Sequence, residues 1–268
     1  MLRAIERFHD EHHDVALVLN VTRHPYSFIG DSRASQGPGG LKGYGEGATQ
    51  TWHEALLGYA GNDPNARARM EEGMRLQGAE VGIAFDYGVK AQWQPIDSQR
   101  LLLWAGRFGK QEEFMSALNR RHFEQAQSAS DRSTLCAAAE EVGLDAAAAT
   151  AFLETDELAD VVWQSYGRTI REKKIHSIPL FALSVPAIDA SGGPFRAAGK
   201  HEAFVVRGSM DTEHFVNLFR VILRDVRAGK RVYDEMALPY RQDEWWKASK
   251  DAGVCTPGGE GGAATCAA

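Results

Sequence analysis

Ile178-Pro-Leu-Phe-Ala-Leu-Ser184 is the stretch on which the fold turns. Before it, from about residue 51 to residue 173, apolar side chains recur at helical spacing. Here they run together behind a proline, with the length and composition of a strand. A Gly/Pro loop follows. Ala203-Phe-Val-Val206 then reads as a second strand, and Gly208-Ser-Met-Asp211 turns into a helix over residues 212–226. Two short strands and a closing helix make a β-β-α unit.

A lone two-stranded hairpin is barely stable, so a further strand is sought upstream. Val15-Ala-Leu-Val-Leu-Asn-Val-Thr22 is short, apolar and β-branched, as a buried strand is. It is expected to pair with the C-terminal hairpin, leaving the helices between as an insertion packed on the sheet. The expected organisation is one α/β domain over residues 1–248, with an all-helical insertion at about 51–173. Residues 249–268 form a Gly/Ala-rich tail expected to be disordered.

The helices are marked by local signals. Leu2, Ile5 and Phe8 open the chain in an amphipathic helix. Thr51 and Glu54 have capping-box spacing. Asp63-Pro64 starts a helix to about Gln77, and Ile83-Ala-Phe-Asp-Tyr87 is a short extended piece. Residues 98–108 form an apolar helix ended by Gly109. Residues 112–126 carry the stripe Phe114, Leu118 and Phe123. Asp131 is placed as the cap of a helix at 135–142, closed by Gly143. Leu144-Asp145 begins an alanine-rich helix to Leu153, and Thr155/Asp156 another to about Lys173. No repeat of fixed period occurs.

Composition narrows the function. The 268 residues are 44% hydrophobic and 25% charged, an ordinary globular balance. The net charge of −6 argues against sequence-independent nucleic-acid binding and against attraction to an anionic membrane surface. No apolar run approaches the ~20 residues that span a bilayer. Glu6, Asp10, Glu11 and Asp14 leave no signal or transit pattern at the start, so the expected location is cytoplasmic.

The three cysteines, Cys136, Cys255 and Cys266, form no C-x-x-C pair, no disulfide framework and no zinc spacing. Cys136 reads as a small buried hydrophobe in a helix. His9 and His13 share a helix face and His12 and His24 lie near, but no third ligand has metal spacing, so no metal is expected. The loop Gly37-Pro-Gly-Gly-Leu-Lys-Gly-Tyr-Gly-Glu-Gly47 lacks the order of a phosphate-binding loop. Trp245-Trp246 reads as a C-terminal cap on the core.

Several segments in this order resemble the DsbA-like branch of the thioredoxin superfamily, close to its FrnE type. Ala105-Gly-Arg-Phe-Gly-Lys110 resembles that family's A-x-x-x-G-K. Leu118-Asn-Arg-Arg-His-Phe-Glu124 resembles L-x-x-x-Y/F-F. Leu135-Cys-Ala-Ala-Ala-Glu-Glu-Val-Gly-Leu-Asp145 is close to L-A-x-x-A-x-x-x-G-L-D. Lys174-Ile-His-Ser-Ile-Pro-Leu-Phe181 resembles G-V-x-G-V-P-x-F, and Gly208 with Thr212-Glu-His-Phe215 resembles the turn into the final helix. The resemblance covers roughly residues 1–226 and implies a thioredoxin-like fold with a large all-helical insertion. It also implies that Pro179 is cis and faces the substrate, with Ile178, Ser177 and His176 beside it as substrate-binding residues. Read from the residues alone, Pro179 is equally the first residue of an edge strand, and His176 a solvent-facing loop histidine.

The departures bear on activity. The family opens with a strand and then C-P-W-C at a helix N-terminus, where the helix lowers the first thiol's pKa. This chain starts inside that helix, without the strand or the dithiol. Ile96-Asp-Ser-Gln-Arg-Leu101 stands where the family has N-T-x-x-A-H, and Lys174 where a glycine is usual. No catalytic residue is therefore identified. The expected function is a thiol–disulfide oxidoreductase family member, inactive in redox as this chain. Two alternatives stay open: a non-catalytic thioredoxin-like peptide-binding module, and a glutathione-dependent isomerase of the kappa-class transferase type. No cofactor is expected except glutathione under that last alternative. The expected partner is a thiol-containing protein or peptide, or a second copy in a homodimer. A sheet without its central strand is expected to be marginally stable or to associate.

Overall fold

The computed structural model describes residues 1–27, 30–31, 50–92, 95–173, 175–183 and 204–228. These fall into two compact units: one joins the residues up to Gly30 to those from Gln164 on, and the other takes Asp31–Trp163. The loop at 37–47, Lys174, Trp245-Trp246, the tail at 249–268, Cys255 and Cys266 lie outside the described residues.

The first unit opens with α1 (Leu2–Glu11), which buries Ala4 and Phe8 one turn apart. The chain then reverses, and the Leu17 N–H donates to His9 Nε2 at 3.2 Å. Val15, Leu17 and Leu19 face the core while Ala16, Val18 and Asn20 face out. This is the period of two of an extended chain with one face in the core; the buried strand expected from the sequence is not formed. Among the described residues no backbone hydrogen bond joins residues 16–22 to another segment. Alternation decides which side chains meet the core; it does not supply a neighbouring edge for the amides.

In the second unit come β1 (Gln50–Thr51), α2 (Trp52–Tyr59), α3 (Pro64–Glu80) and β2 (Lys90–Ala91), with β1 and β2 antiparallel. The capping box forms as read. Thr51 Oγ1 accepts the Glu54 N–H at 3.1 Å, and Glu54 Oε2 accepts the Thr51 N–H at 2.8 Å. Asp63 Oδ1 accepts the Asn65 N–H at 2.8 Å, and α3 runs three residues beyond Gln77. Residues 83–87 form no strand; the local pairing is the two-residue ladder of β1 with β2. Residues 83–85 instead cross α3 at Gly78, where a Cβ would lie 2.7 Å from the Phe85 ring and from the Ile83 carbonyl oxygen.

Next come α4 (Ile96–Gly106), α5 (Gln111–Glu124), α6 (Arg132–Glu141) and α7 (Ala146–Leu153). α4 is buried from Arg100 through Ala105 and meets Phe114 and Leu118 of α5, Leu135 of α6 and Phe152 of α7 in this unit's core. Each such apolar side chain contributes about 1.5–3 kcal/mol. Trp104 stacks on Phe152 with ring centroids 5.7 Å apart. Asp131 stands at the N-cap of α6, but its carboxylate makes no capping bond. Asp145 does cap α7, accepting from Ala147 N at 2.7 Å.

The helix read from Thr155/Asp156 begins later, as α8 (Ala159–Arg171). Arg100 is the reason. Its guanidinium donates to the carbonyls of Phe152, Thr155 and Glu157, and Arg107 pairs with the Glu157 carboxylate at 2.5 Å. Carbonyls engaged this way hold residues 154–157 out of helix, and Leu158 sits at φ 65.

The chain re-enters the first unit at Gln164 within α8 and goes on to β3 (Leu180–Leu183), β4 (Phe204–Arg207) and α9 (Thr212–Arg227). The hairpin is antiparallel, with Leu180 opposite Arg207 and Phe181 opposite Val206. Gly208 adopts φ 89, which lets the chain turn toward α9, and Asp211 Oδ1 caps that helix through the His214 N–H at 2.8 Å. Phe215, Val216, Phe219 and Ile222 of α9 pack with Ala4, Phe8 and Val206. Phe8 and Phe219 meet edge to face at 5.8 Å. Outside this core, Arg220 pairs with Glu11 at 2.6 Å, and Arg7 with Glu213 at 2.7 Å. Among the described residues no helix is long and apolar enough to cross a membrane.

Candidate functional site

The segment joining α8 to β3 gathers the four residues singled out in the sequence. Ile175 is its anchor: the side chain is 4% exposed and the N–H donates to the Thr169 carbonyl at 3.0 Å. His176, Ser177, Ile178 and Pro179 then project as four consecutive exposed residues, with Ile178 50% exposed. The Ile178–Pro179 peptide is cis. The far end is tied down where the Gly208 N–H donates to the Pro179 carbonyl at 2.9 Å. The loop is thus fixed to a helix at one end and to a hairpin at the other. Between these ties the backbone groups of Ser177 and Ile178 make no hydrogen bond with described residues. A fixed loop with an open backbone and an exposed apolar side chain can pair with an extended segment of another chain.

Below the loop, α8 has a polar inner face. Ser165 Oγ donates to the Pro25 carbonyl at 2.9 Å, and Thr169 Oγ1 to the Ser165 carbonyl at 2.6 Å. The first of these bonds holds Pro25 against the helix. Burial lowers the His24 pKa to about 4 and pushes the Tyr166 hydroxyl well up, so both side chains are neutral at pH 7. His24 therefore belongs to the interior. His9 accepts the Leu17 amide and the His12 ring centroid lies 4.7 Å from that of Phe8, so His9, His12 and His24 have different surroundings. Sequence reading missed the interior position of His24; the adjoining Pro25, also buried, is the only nearby hint.

Among the described residues Cys136 is the one cysteine. Cys136 is a free cysteine, half-buried on α6 rather than enclosed, with Sγ 3.3 Å from Thr150 Oγ1 of α7. It belongs to the unit that does not carry the loop. The first turn of α1 holds Leu2, Arg3 and Ala4 behind Met1, and no thiol.

A sequence model of the DSBA-like thioredoxin domain matches residues 19–180, more than half of the chain and ending on the first residue of β3. None of the curated proteins compared with the chain matches it.

Proposed function

Because the chain belongs to the DSBA-like thioredoxin domain family, a thiol–disulfide oxidoreductase-like group, we propose that its His176–Pro179 loop binds an extended segment of a thiol-containing protein without exchanging a disulfide with it. The observation that carries this reading is the cysteine pattern: no two of Cys136, Cys255 and Cys266 have the i, i+3 spacing of C-x-x-C. Disulfide exchange needs a thiolate to attack, a mixed disulfide, and a second thiol to resolve it. A lowered thiol pKa at a helix N-terminus supplies the first requirement, and the first turn of α1 has no cysteine. What remains is recognition, through open backbone beside Pro179 and the apolar side chain of Ile178. Placement in the FrnE-type subgroup belongs to the same proposal and rests on the order of the sequence motifs.

Insulin reduction in the presence of dithiothreitol tests the redox half. The expected rate is that of the protein-free blank. Turnover well above the blank that survives Cys136→Ala would overturn it. Fluorescence anisotropy with labelled extended peptides tests the binding half. Saturable binding weakened by Ile178→Asp is expected, and equal affinity for that variant would remove the loop from the reading.

A further inference from the structure

The peptide-binding loop lies in a basic stretch of sequence in an acidic protein. Across residues 168–179 the sequence carries Arg168, Arg171, Lys173 and Lys174 against Glu172, four cations to one anion, in a chain whose net charge is −6. Arg168 and Arg171 lie in the last turn of α8, where cations offset the helix dipole. That accounts for part of this positive charge and leaves Arg207 unexplained, because it lies on a strand. Arg207 stands opposite Leu180 in the hairpin register, one residue before the Gly208 amide that holds Pro179. It is exposed and has no ion-pair partner among the described residues. Phe181 and Val206 turn to the core. The alternation of strands puts the Leu180–Arg207 pair on the other face, and Leu180 directly follows Pro179 in the chain. Lys173 lies at the opposite end of the loop, two residues before Ile175. The nearby acids are occupied: Asp211 caps α9, and Glu213 pairs with Arg7 and Arg220. Glu172 is the single acid within residues 168–179.

We infer that the segment bound at the His176–Pro179 loop is an acidic peptide, whose Asp or Glu side chains are met by Arg207 at one end of the loop and Lys173 at the other. This rests on the peptide-binding reading above and adds its charge class. Arg207, with a planar fork of donors, suits a carboxylate; Lys173 acts as a point charge. An exposed ion pair changes affinity about two- to fivefold, so two together give roughly tenfold at low salt, fading as salt screens them.

The test uses three fluorescein-labelled nonapeptides identical except at two flanking positions, which are Glu, Gln or Lys. Their affinities for the full chain are measured by anisotropy at 20 and 300 mM salt. The Glu peptide is expected to bind about tenfold tighter than the Lys peptide at low salt, with a smaller gap at high salt. Arg207→Gln and Lys173→Gln each narrow the gap while the Gln peptide binds as before, which also shows that the variants are folded. If all three peptides bind alike, or if the double variant keeps the preference, the charge class is wrong and the peptide-binding reading stands. If none binds at either salt, the underlying reading fails with it.

Discussion

Trp52 donates its indole N–H to Nε2 of His122 at 3.2 Å, joining the first residue of α2 to the last turn of α5. The Ala129 nitrogen lies 3.2 Å from Nδ1, and since a neutral imidazole has a single lone pair, one of these two N–H groups faces the ring's own N–H. Burial lowers the His122 pKa to about 4, against a smaller opposing contact with the Gln127 backbone. An added proton would also meet a donor already in place.

The consequence is a pH dependence of stability with a defined window. The unfolded chain takes up protons at its histidines as pH falls through about 6.5, while folded His122 and His24 stay neutral down to about 4. The unfolded state then binds more protons, so stability is full above about 6.5 and is lost between there and about 4. A shift of about 2.5 units bounds each contribution at about 3 kcal/mol. Glu11, held below its ordinary value by Arg220, and Glu54, held low by the Thr51 backbone, act only below 4.5. Urea unfolding at pH 7.5, 5.5 and 4.5 is expected to show the loss already at 5.5. His122→Gln should flatten roughly half of it; an unchanged profile in that variant would assign the effect elsewhere.

Gly78 makes a second prediction, against helix propensity. Alanine in a helix is ordinarily better than glycine by about 1 kcal/mol. At this position the new methyl would lie 2.7 Å from both the Phe85 ring and the Ile83 carbonyl oxygen. Gly78→Ala is therefore expected to destabilise by about 1–3 kcal/mol. Phe85→Ala relieves only the ring contact, so the double variant should recover part of the loss relative to the sum of the two singles.

Arg100 is expected to matter for the start of α8 more than for any surface charge. It gives donors to the carbonyls of Phe152, Thr155 and Glu157 and to Asp97, and its side chain is 3% exposed. Arg100→Met keeps the packing volume but strands those acceptors. A cost of about 3 kcal/mol is expected, at about 1 kcal/mol or more for each unsatisfied buried group. Arg100→Lys should rescue little, because one ammonium cannot reach three carbonyls arranged for a planar fork. Calorimetric melting of both variants checks this, and full rescue by lysine would contradict it.

These residues also show where the sequence was legible. Thr51 with Glu54, Asp63 with Pro64, Asp145, and Asp211 with Gly208 announce helix ends because a cap is satisfied within three or four residues of itself. The loop at His176–Pro179 was legible for the same reason: a proline ahead of a short apolar run marks the break between a helix and a strand. The late start of α8 was not, since its cause, Arg100, lies more than fifty residues upstream. The interior places of His24 and His122 were not, since burial comes from elements distant in sequence. The ladder of Gln50–Thr51 with Lys90–Ala91 is too short to leave a pattern.

Residues 16–22 hold the last prediction, because there the expected buried strand has, among the described residues, neither its pairing nor a second buried face. Val15, Leu17 and Leu19 pack on the core of Phe8 and Phe219, so the segment keeps one face. Val18, 77% exposed, and Val21 face away. The amides from Val18 to Thr22 have no backbone partner among the described residues, whereas those of Phe181 and Val206 face each other in the hairpin. Amide exchange separates packing from pairing, since a side chain can be buried while its N–H stays open to solvent. Residues 18–22 are expected to exchange near the rate of an unfolded chain, while Val216 and Phe219 in α9 are strongly protected. An open edge is also a template for another chain. If protection at 18–22 rises with protein concentration, and the melting temperature rises with it, two copies pair along this segment. If protection is high and independent of concentration, the segment has a partner within its own chain, and its reading as an unpaired edge is wrong.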